Sequence, residues 1–320
     1  MHPQKINGDF KGKNILSLDQ FTPKDLSILF KITPKMKRIA KAAKPSKILG
    51  GTITTLLFYE PSSRTFGSFS AAVKQLGGQT VEIQNPQAFS SMAKGETFED
   101  TIRVFEAYSD AIVIRHPTQG SAQKASEVTR FTPIISAGDG VGEHPTQALL
   151  DLFTIYEKWG RLDGLVGVLA GDLLNGRTIH SLIRGLLLFP KNTLYLLSPR
   201  QLRLSRVDFL SFSKRKIKLI EIESEKDMPK NAHFWYWTRV QKERFASLGE
   251  YEKVKNRFVV TKELLRKHGN KNMILMHPLP RVGEISTEVD SDERSVYLRS
   301  QIRNGMYIRM ALLSLVLGKI

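Results

Sequence analysis

The sequence predicts an α/β fold in which mainly parallel sheets are flanked by helices, divided between two domains. Short apolar runs rich in Val, Ile and Leu alternate with segments of helical periodicity. This alternation is typical of parallel sheets whose strands are joined by helices. The chain has 320 residues, of which 41% are hydrophobic. A chain of this length more often forms two domains than one, and the hydrophobic content is sufficient for a core in each.

The stretch FYEPSSRTFGSF, residues 58–69, lies between a predicted strand (ITTLLF, residues 53–58) and a predicted helix. A helix that begins in this turn directs unpaired backbone N–H groups and the positive end of its dipole at an anion. Ser62, Arg64 and Thr65 can complete the shell around phosphate oxygens. A serine at a helix start is more commonly only an N-cap, so the turn alone is consistent with either role.

The rest of the chain continues the alternation, without an internal repeat or a low-complexity tract. Helices are predicted after Thr22-Pro23, at residues 98–105, from Pro145 onward and at residues 306–317. Strands are predicted at residues 80–83, 111–114, 133–137, 166–170, 194–197, 217–222, 233–241 and 273–276. The aromatic run HFWYW, residues 233–237, is interpreted as core rather than as a base-stacking surface.

Polar side chains follow several of these strands. Arg115 stands at the end of the third strand, and open α/β sheets bind ligands at the carboxyl ends of their strands. Its alternative role is that of a surface cation. A glycine-rich turn, residues 138–142, leads to His144, and Gln147 follows on the same predicted helical face. Both side chains can donate to a carbonyl or phosphate oxygen, although a lone histidine is more often structural.

The second half of the chain offers further candidates. The strand VGVLA is followed by GDLLNGRT, which is similar to a dinucleotide-binding turn but lacks its G-x-G-x-x-G spacing. Arg177 in this turn is therefore a candidate clamp for a carboxylate. Arg239 and Gln241 stand at the end of the predicted aromatic strand. In the first half, Ser90 and Lys94 lie in a polar loop that is more often merely exposed than part of a site.

The residue types favour catalysis by positioning and electrostatic stabilisation. The sequence contains no metal-ligand spacing, no Ser-His-Asp order and no paired carboxylates, so neither a metal nor a cofactor is predicted. The chain has no cysteine, which excludes thiol nucleophiles and disulfides. Arg, Thr, His and Gln at strand ends are instead binders of anions and carbonyls.

The formal net charge of +17 raises the question of an anionic partner. Basic residues are spread along the chain, with modest clusters at 35–47, 200–218 and 253–271 that form no recognisable nucleic-acid-binding module. Solvated basic faces, or attraction of anionic substrates, are therefore favoured over a nucleic-acid site. There is no apolar run of bilayer length and no signal-peptide core, so the expected location is the cytoplasm, with no membrane partner.

Several motifs together give the chain a family resemblance. They are, in order, FYEPSSRT, SSMAKGETFEDTI, IRHP, AGDGVGEHPTQALLD, GDLLNGRTIHSL, TRVQKERF, HPLPRVGEI and NGMYIRMALL. The chain resembles the aspartate carbamoyltransferase family, within the aspartate/ornithine carbamoyltransferase superfamily. The resemblance implies two three-layer domains, with the C-terminal helix returning to the N-terminal one. The expected carbamoyl-phosphate-binding domain is residues 1–144 plus 296–320, and the expected aspartate-binding domain is residues 145–295.

The resemblance also implies roles for individual residues. Carbamoyl phosphate is expected to be bound by Ser62, Arg64, Thr65, Ser90, Lys94, Arg115, His144 and Gln147. Aspartate is expected to be bound by Lys94, Arg177, Arg239, Gln241, Leu279 and Pro280. The expected catalytic residues are Arg64, Thr65, Lys94, Arg115 and His144. Ser90 and Lys94 would come from a neighbouring subunit of a homotrimer, and association with regulatory chains is left open.

The implied reaction is carbamoyl transfer to L-aspartate in pyrimidine biosynthesis. The alternatives are an ornithine or other amino-acid carbamoyltransferase, and a basic polyanion- or RNA-binding protein that has lost catalysis. The segment HPLP and the arginines Arg177 and Arg239 favour aspartate over a cationic substrate. The chain departs from the family pattern at Phe66, which replaces a frequent arginine, and at Trp235 and Trp237, which replace smaller residues.

Overall fold

The chain forms two compact α/β units, which confirms the predicted fold class. Unit 1 comprises residues 1–150 and 303–320, and unit 2 comprises residues 151–302. The predicted domain limits, and the substrate assigned to each domain, stay predictions. The computed structural model describes residues 3–42, 44, 46–89, 94–140, 142–214, 216–240, 247–252 and 258–320.

Unit 1 is built on a parallel four-stranded sheet of order β2-β1-β3-β4. Its strands are β1 Ile53–Phe58, β2 Gln79–Gln84, β3 Ala111–His116 and β4 Ile134–Asp139. Its helices are α1 Pro23–Lys41, α2 Ser63–Gln75, α3 Pro86–Phe89, α4 Phe98–Glu106 and α5 Ser121–Val128, after a 3-10 turn at Leu18–Gln20. The unit boundaries fall within α6 Pro145–Trp159 and α11 Ser300–Val316.

Local sequence signals account for the start of the first helix. Thr22 is the N-cap of α1, and its side chain accepts a hydrogen bond from the backbone of Asp25. The Asp25 carboxylate accepts one in return from the Thr22 N–H, at 2.8 Å. Pro23 occupies the first helical position, where its missing N–H costs nothing. This reciprocal capping explains why the pair Thr22-Pro23 predicts the helix start correctly.

The C-terminal helix packs on the helices of unit 1, as predicted. Arg309 of α11 is buried and donates from Nη1 to the Ser68 hydroxyl of α2, at 2.9 Å. Its guanidinium also lies 5.0 Å from the centre of the Phe69 ring. Residues 303–320 therefore complete the core of the unit in which the chain begins.

Unit 2 is built on a parallel five-stranded sheet of order β7-β6-β5-β8-β9. Its strands are β5 Val166–Ala170, β6 Thr193–Leu197, β7 Lys218–Ile222, β8 Phe234–Trp237 and β9 Ile274–Met276. Its helices are α7 Arg177–Leu186, α8 Arg206–Ser213, α9 Leu248–Glu252 and α10 Lys262–His268, with 3-10 turns at Arg200–Leu202, Glu225–Asp227 and Thr287–Val289.

The aromatic strand β8 lies in the core of unit 2. Trp235 and Trp237 are both fully buried, and their ring centroids are 5.6 Å apart. On the neighbouring strand, Gly167 faces the Phe234 ring so closely that a Cβ atom there would lie 2.2 Å from it. The bulky aromatic run is therefore accommodated by a glycine across the sheet, and the interpretation of this run as core is confirmed.

Among the described residues, none of the helices combines the length and the apolar character needed to cross a membrane.

Candidate active site

The sheet of unit 1 has its topological switch point between β1 and β3. From β1 the chain continues through α2 to β2 on one side, whereas β3 is followed by α5 and β4 on the other. The two strands are neighbours, and Phe58 at the end of β1 pairs with Arg115 near the end of β3. Ligands of open α/β sheets bind outside the carboxyl ends of strands at such a point. The predicted phosphate turn and Arg115 thus come together at this edge.

The turn after β1 forms the start of α2, as the sequence predicts. Ser62 is the N-cap residue, but its side chain makes no capping hydrogen bond. The first turn of α2 contains no acidic residue that would neutralise the positive helix end, and it carries Arg64 and Thr65. Arg64 is exposed, whereas Thr65 is buried. The simple N-cap role considered for Ser62 is therefore not the one that its side chain adopts.

Phe66, the departure from the family pattern, has a packing role. Its ring lies edge-to-face on the buried ring of Phe58, with centroids 5.2 Å apart and an interplanar angle of 87°. Edge-to-face aromatic pairs of this kind are favourable. The substitution thus joins the first turn of α2 to the end of β1.

Thr65 and His144 bring two separate turns into contact. The Thr65 hydroxyl lies 3.5 Å from His144 Nε2, and both residues are buried. His144 immediately precedes α6 rather than lying on its face, and its carbonyl accepts a hydrogen bond from the Gln147 N–H at 3.0 Å. The neighbouring Glu143 carboxylate accepts from the Ser17 hydroxyl at 2.7 Å, which fixes the approach to this helix. Gln147 is partly exposed.

Arg115 is held in place by three neighbours. Its guanidinium forms an ion pair with Glu60, at 2.9 Å between Nη2 and Oε2. Nη1 donates to the carbonyl oxygen of Ala137 at 3.2 Å. Gly138 has a φ of +127°, and a Cβ atom there would lie 2.9 Å from the same Nη1. Arg115 is 8% exposed, so this cation is presented from a nearly buried position rather than from the surface.

The sheet of unit 2 has its own switch point between β5 and β8. From β5 the chain continues through α7 to β6 and β7, whereas β9 lies on the other side of β8. Arg177 is the first residue of α7, and Arg239 follows β8 by two residues. Both are partly exposed. Two guanidinium groups therefore follow the two strands at which a parallel sheet binds its ligand.

Strand β9 is the neighbour of β8, and the turn that follows β9 contains Leu279 and Pro280. Leu279 has a φ of +57°, which is uncommon for a residue with a side chain, and the Leu279–Pro280 peptide is cis. The backbone N–H of Leu279 donates to His277 Nδ1 at 2.8 Å. Pro280 is exposed. Leu279 and Pro280, both predicted to bind aspartate, thus lie in a defined turn.

Two predicted site residues, Ser90 and Gln241, lie outside the described residues. Lys94 is described and exposed. Glu60 was not singled out from the sequence, although it stands beside the phosphate turn in the motif FYEPSSRT. Glu60 could have been identified because it is an acidic residue next to a turn in which basic side chains are predicted.

Two sequence profiles together cover most of the chain. Residues 13–157 match the one described as aspartate/ornithine carbamoyltransferase, carbamoyl-P binding domain. Residues 163–316 match the one described as aspartate/ornithine carbamoyltransferase, Asp/Orn binding domain.

Individual relatives agree with these profiles. The multifunctional protein pyr1-3 of Dictyostelium discoideum is 48% identical over 307 residues, which are 96% of this chain and 14% of that protein. A chloroplastic aspartate carbamoyltransferase of Arabidopsis thaliana is 44% identical over 315 residues, covering 96% of this chain and 78% of that one. Among solved structures, aspartate transcarbamoylase from Trypanosoma cruzi in complex with carbamoyl phosphate and aspartate has a TM-score of 0.87 and 39% identity, covering 96% and 98% of the two chains.

Proposed function

The chain belongs to the aspartate/ornithine carbamoyltransferase family, and we propose that it transfers the carbamoyl group of carbamoyl phosphate to the α-amino group of L-aspartate. The products are N-carbamoyl-L-aspartate and inorganic phosphate, which places the reaction in pyrimidine biosynthesis. The observation that carries this proposal is the distribution of cationic and hydroxyl side chains over the two switch points. Unit 1 offers a set for a phosphate and a carbonyl, and unit 2 offers two arginines for carboxylates.

Carbamoyl phosphate is assigned to unit 1. The start of α2 offers backbone N–H groups together with Ser62, Arg64 and Thr65 for the phosphate oxygens. Arg115 and His144 contribute donors for the carbamoyl carbonyl. In addition, Gln147, Ser90 and Lys94 complete the proposed set.

The proposed mechanism follows from the charge that develops during the reaction. The neutral α-amino group attacks the carbamoyl carbon, a C–N bond forms, and negative charge grows on the carbonyl oxygen. Thr65, Arg115 and His144 stabilise that oxygen as an oxyanion hole does. The C–O bond to phosphate then breaks and phosphate leaves with the bonding electrons. The proton released by the amine is taken up by the departing phosphate, for which no side-chain base is needed.

Aspartate is preferred over ornithine as the acceptor because of the charges in unit 2. Arg177 and Arg239 are suited to the α- and β-carboxylates, and each can form paired hydrogen bonds with a carboxylate. Gln241 and the backbone of Leu279 and Pro280 are assigned to the same substrate. The cationic side chain of ornithine would be repelled by two guanidinium groups.

Assembly and location extend this proposal. A homotrimer, in which Ser90 and Lys94 serve the site of a neighbouring subunit, agrees with the exposure of Lys94. The chain spans only 14% of its multifunctional relative, so the activity of the chain is proposed for this portion alone. We place the protein in the cytoplasm, although some relatives are named as chloroplastic. Whether regulatory chains join the trimer is decided by measuring the mass of the purified assembly.

A colorimetric assay for N-carbamoyl-aspartate tests the activity directly. We expect product with carbamoyl phosphate and L-aspartate, and no citrulline when ornithine replaces aspartate. Activity with ornithine but not with aspartate would identify an ornithine enzyme instead.

A parallel RNA titration at physiological salt tests the polyanion alternative, since binding through phosphates weakens steeply as salt rises. Salt-sensitive RNA binding without product would overturn the proposed function.

A further inference from the structure

The turn after β9 is held by a buried pair of side chains, His277 and Glu284. They are 2% and 5% exposed, and His277 Nε2 lies 2.7 Å from Glu284 Oε1. The other carboxylate oxygen of Glu284 accepts a hydrogen bond from the Val282 N–H at 2.8 Å. His277 Nδ1 accepts one from the Leu279 N–H, also at 2.8 Å. The pair therefore fixes the backbone of residues 279–282 at both ends.

The hydrogen bonds define the state of the His277 ring. A ring nitrogen that accepts from a backbone N–H carries no proton, so Nδ1 is the bare nitrogen. The proton of the neutral ring is then on Nε2, which donates it to the Glu284 carboxylate. In an imidazolium, Nδ1 would also carry a proton, and this N–H would point at the Leu279 N–H, so that two donors would face each other. The geometry thus requires one tautomer of a neutral histidine, oriented by a carboxylate.

A second set of buried contacts anchors His277 from behind. Its backbone N–H donates to Gln301 Oε1 at 3.0 Å. Gln301 Nε2 donates to Asp151 Oδ1 at 2.7 Å, and the Tyr236 hydroxyl donates to Asp151 Oδ2 at 2.8 Å. The backbone of His277 is therefore connected, through Gln301 and Asp151, to strand β8 and to helix α6 within unit 2. Fully satisfied buried networks of this kind rigidify the groups that they join.

We propose that His277 is a positioning residue for aspartate, acting through its hydrogen bond to the Leu279 N–H, and that Glu284 orients it. Leu279 adopts a left-handed backbone conformation, which persists in residues with a side chain only when the surroundings impose it. His277 Nδ1 supplies that constraint. The turn then keeps the backbone of Leu279 and Pro280 in the form that binds the amino-acid substrate. This inference rests on the proposed function, which assigns aspartate to these two residues.

Two substitutions of His277 distinguish its contact with Leu279 from its contact with Glu284. In His277→Asn the amide oxygen takes the place of Nδ1, so the hydrogen bond from Leu279 is kept and the one to Glu284 is lost. In His277→Gln the amide nitrogen takes the place of Nε2, so the reverse holds. We expect the KM for aspartate to rise about tenfold in His277→Gln, which loses the contact to the turn, and only about threefold in His277→Asn, which keeps that contact but loses the carboxylate that orients the side chain. The KM for carbamoyl phosphate stays unchanged in both.

A destabilised control shows whether the effect is specific. Asn192 is buried immediately before β6. Its side-chain oxygen accepts a hydrogen bond from the Leu165 N–H, and its side-chain nitrogen donates to the Leu162 carbonyl oxygen. Asn192→Ala should lower the Tm and leave the KM for aspartate unchanged. The inference is wrong if His277→Gln has a normal KM for aspartate, or if that KM follows the Tm across all three variants. If the unsubstituted protein forms no N-carbamoyl-aspartate, the proposed function fails and this inference fails with it.

Discussion

The hydroxyl of Thr65 and Nε2 of His144 lie 3.5 Å apart in a buried environment, although 79 positions separate the two residues in sequence. They are 8% and 5% exposed, and they stand at the starts of two different helices. Two donors at this distance can both reach one carbonyl oxygen. The contact therefore joins the phosphate turn to the glycine-rich turn in a single arrangement that can stabilise an oxyanion.

His144→Ala should lower kcat severely while leaving the fold intact. Loss of one oxyanion donor typically costs about 2.7–4 kcal/mol, which corresponds to a fall in kcat of roughly 10²–10³-fold. Steady-state kinetics at saturating carbamoyl phosphate and aspartate measures the effect, and the Tm and circular dichroism report on the fold. Thr65→Val removes the hydroxyl that contacts His144 but keeps the shape of the side chain, and it should also lower kcat. Near-normal turnover in a folded His144→Ala protein would refute the role of His144.

Gly138→Ala should impair the enzyme through Arg115. The φ of +127° disfavours any side chain there, and the new Cβ atom would lie 2.9 Å from Nη1 of Arg115. We expect the guanidinium to be displaced from the Ala137 carbonyl and both kcat and the affinity for carbamoyl phosphate to fall. Kinetics with carbamoyl phosphate varied, and calorimetric titration with inorganic phosphate, measure these changes.

Gly51→Ala is the matched control for Gly138→Ala. Gly51 also has a positive φ, +78°, but nothing lies within 4 Å of its added Cβ atom. Gly51→Ala therefore also carries a backbone penalty, smaller than the one at +127°, and should lower the Tm without changing phosphate binding. Equal loss of activity in the two variants would mean that the displacement of Arg115 is not the cause.

The alternation of strands and helices was predictable because it is local. Runs such as ITTLLF and the pair Thr22-Pro23 specify their own elements through burial and capping, and the structure places them as predicted. The parallel sheets then bring Arg115 to the phosphate turn, since strand ends meet at one edge. Contacts between residues far apart in sequence were not predictable. Neither the Arg115 to Glu60 ion pair nor the hydrogen bond from Gln301 to Asp151 leaves a periodic signal in a single chain.

The free energy of unfolding should decrease below about pH 6.5, in part because of His116. Burial lowers the pKa of His116 below its ordinary value, and the nearby Asp139 offsets this only in part. Between the lowered pKa and the ordinary one, the unfolded chain binds more protons than the folded chain. The free energy of unfolding therefore rises with pH through this window, and it falls as the pH drops.

His116→Asn tests the origin of this pH dependence. The asparagine oxygen can replace His116 Nδ1 as the acceptor of the Thr118 N–H, which is 3.0 Å away in the structure, but it does not titrate. Tm values measured from pH 8 to pH 5 should fall less steeply in the variant than in the unsubstituted protein. Identical slopes in the two proteins would show that His116 does not contribute.

The two buried tryptophans of β8 should differ in their sensitivity to replacement by phenylalanine. Trp237 Nε1 donates to the carbonyl oxygen of Phe258 at 3.1 Å. Trp235 Nε1 is buried without a hydrogen-bond partner among the described residues. Both substitutions remove similar volume, but only Trp237→Phe removes a buried hydrogen bond of the indole, the one to the Phe258 carbonyl oxygen. We expect Trp237→Phe to be more destabilising than Trp235→Phe by about 1–3 kcal/mol, measured by urea denaturation. Equal losses in the two variants would mean that packing of the indole rings, and not the hydrogen bond, sets their contribution.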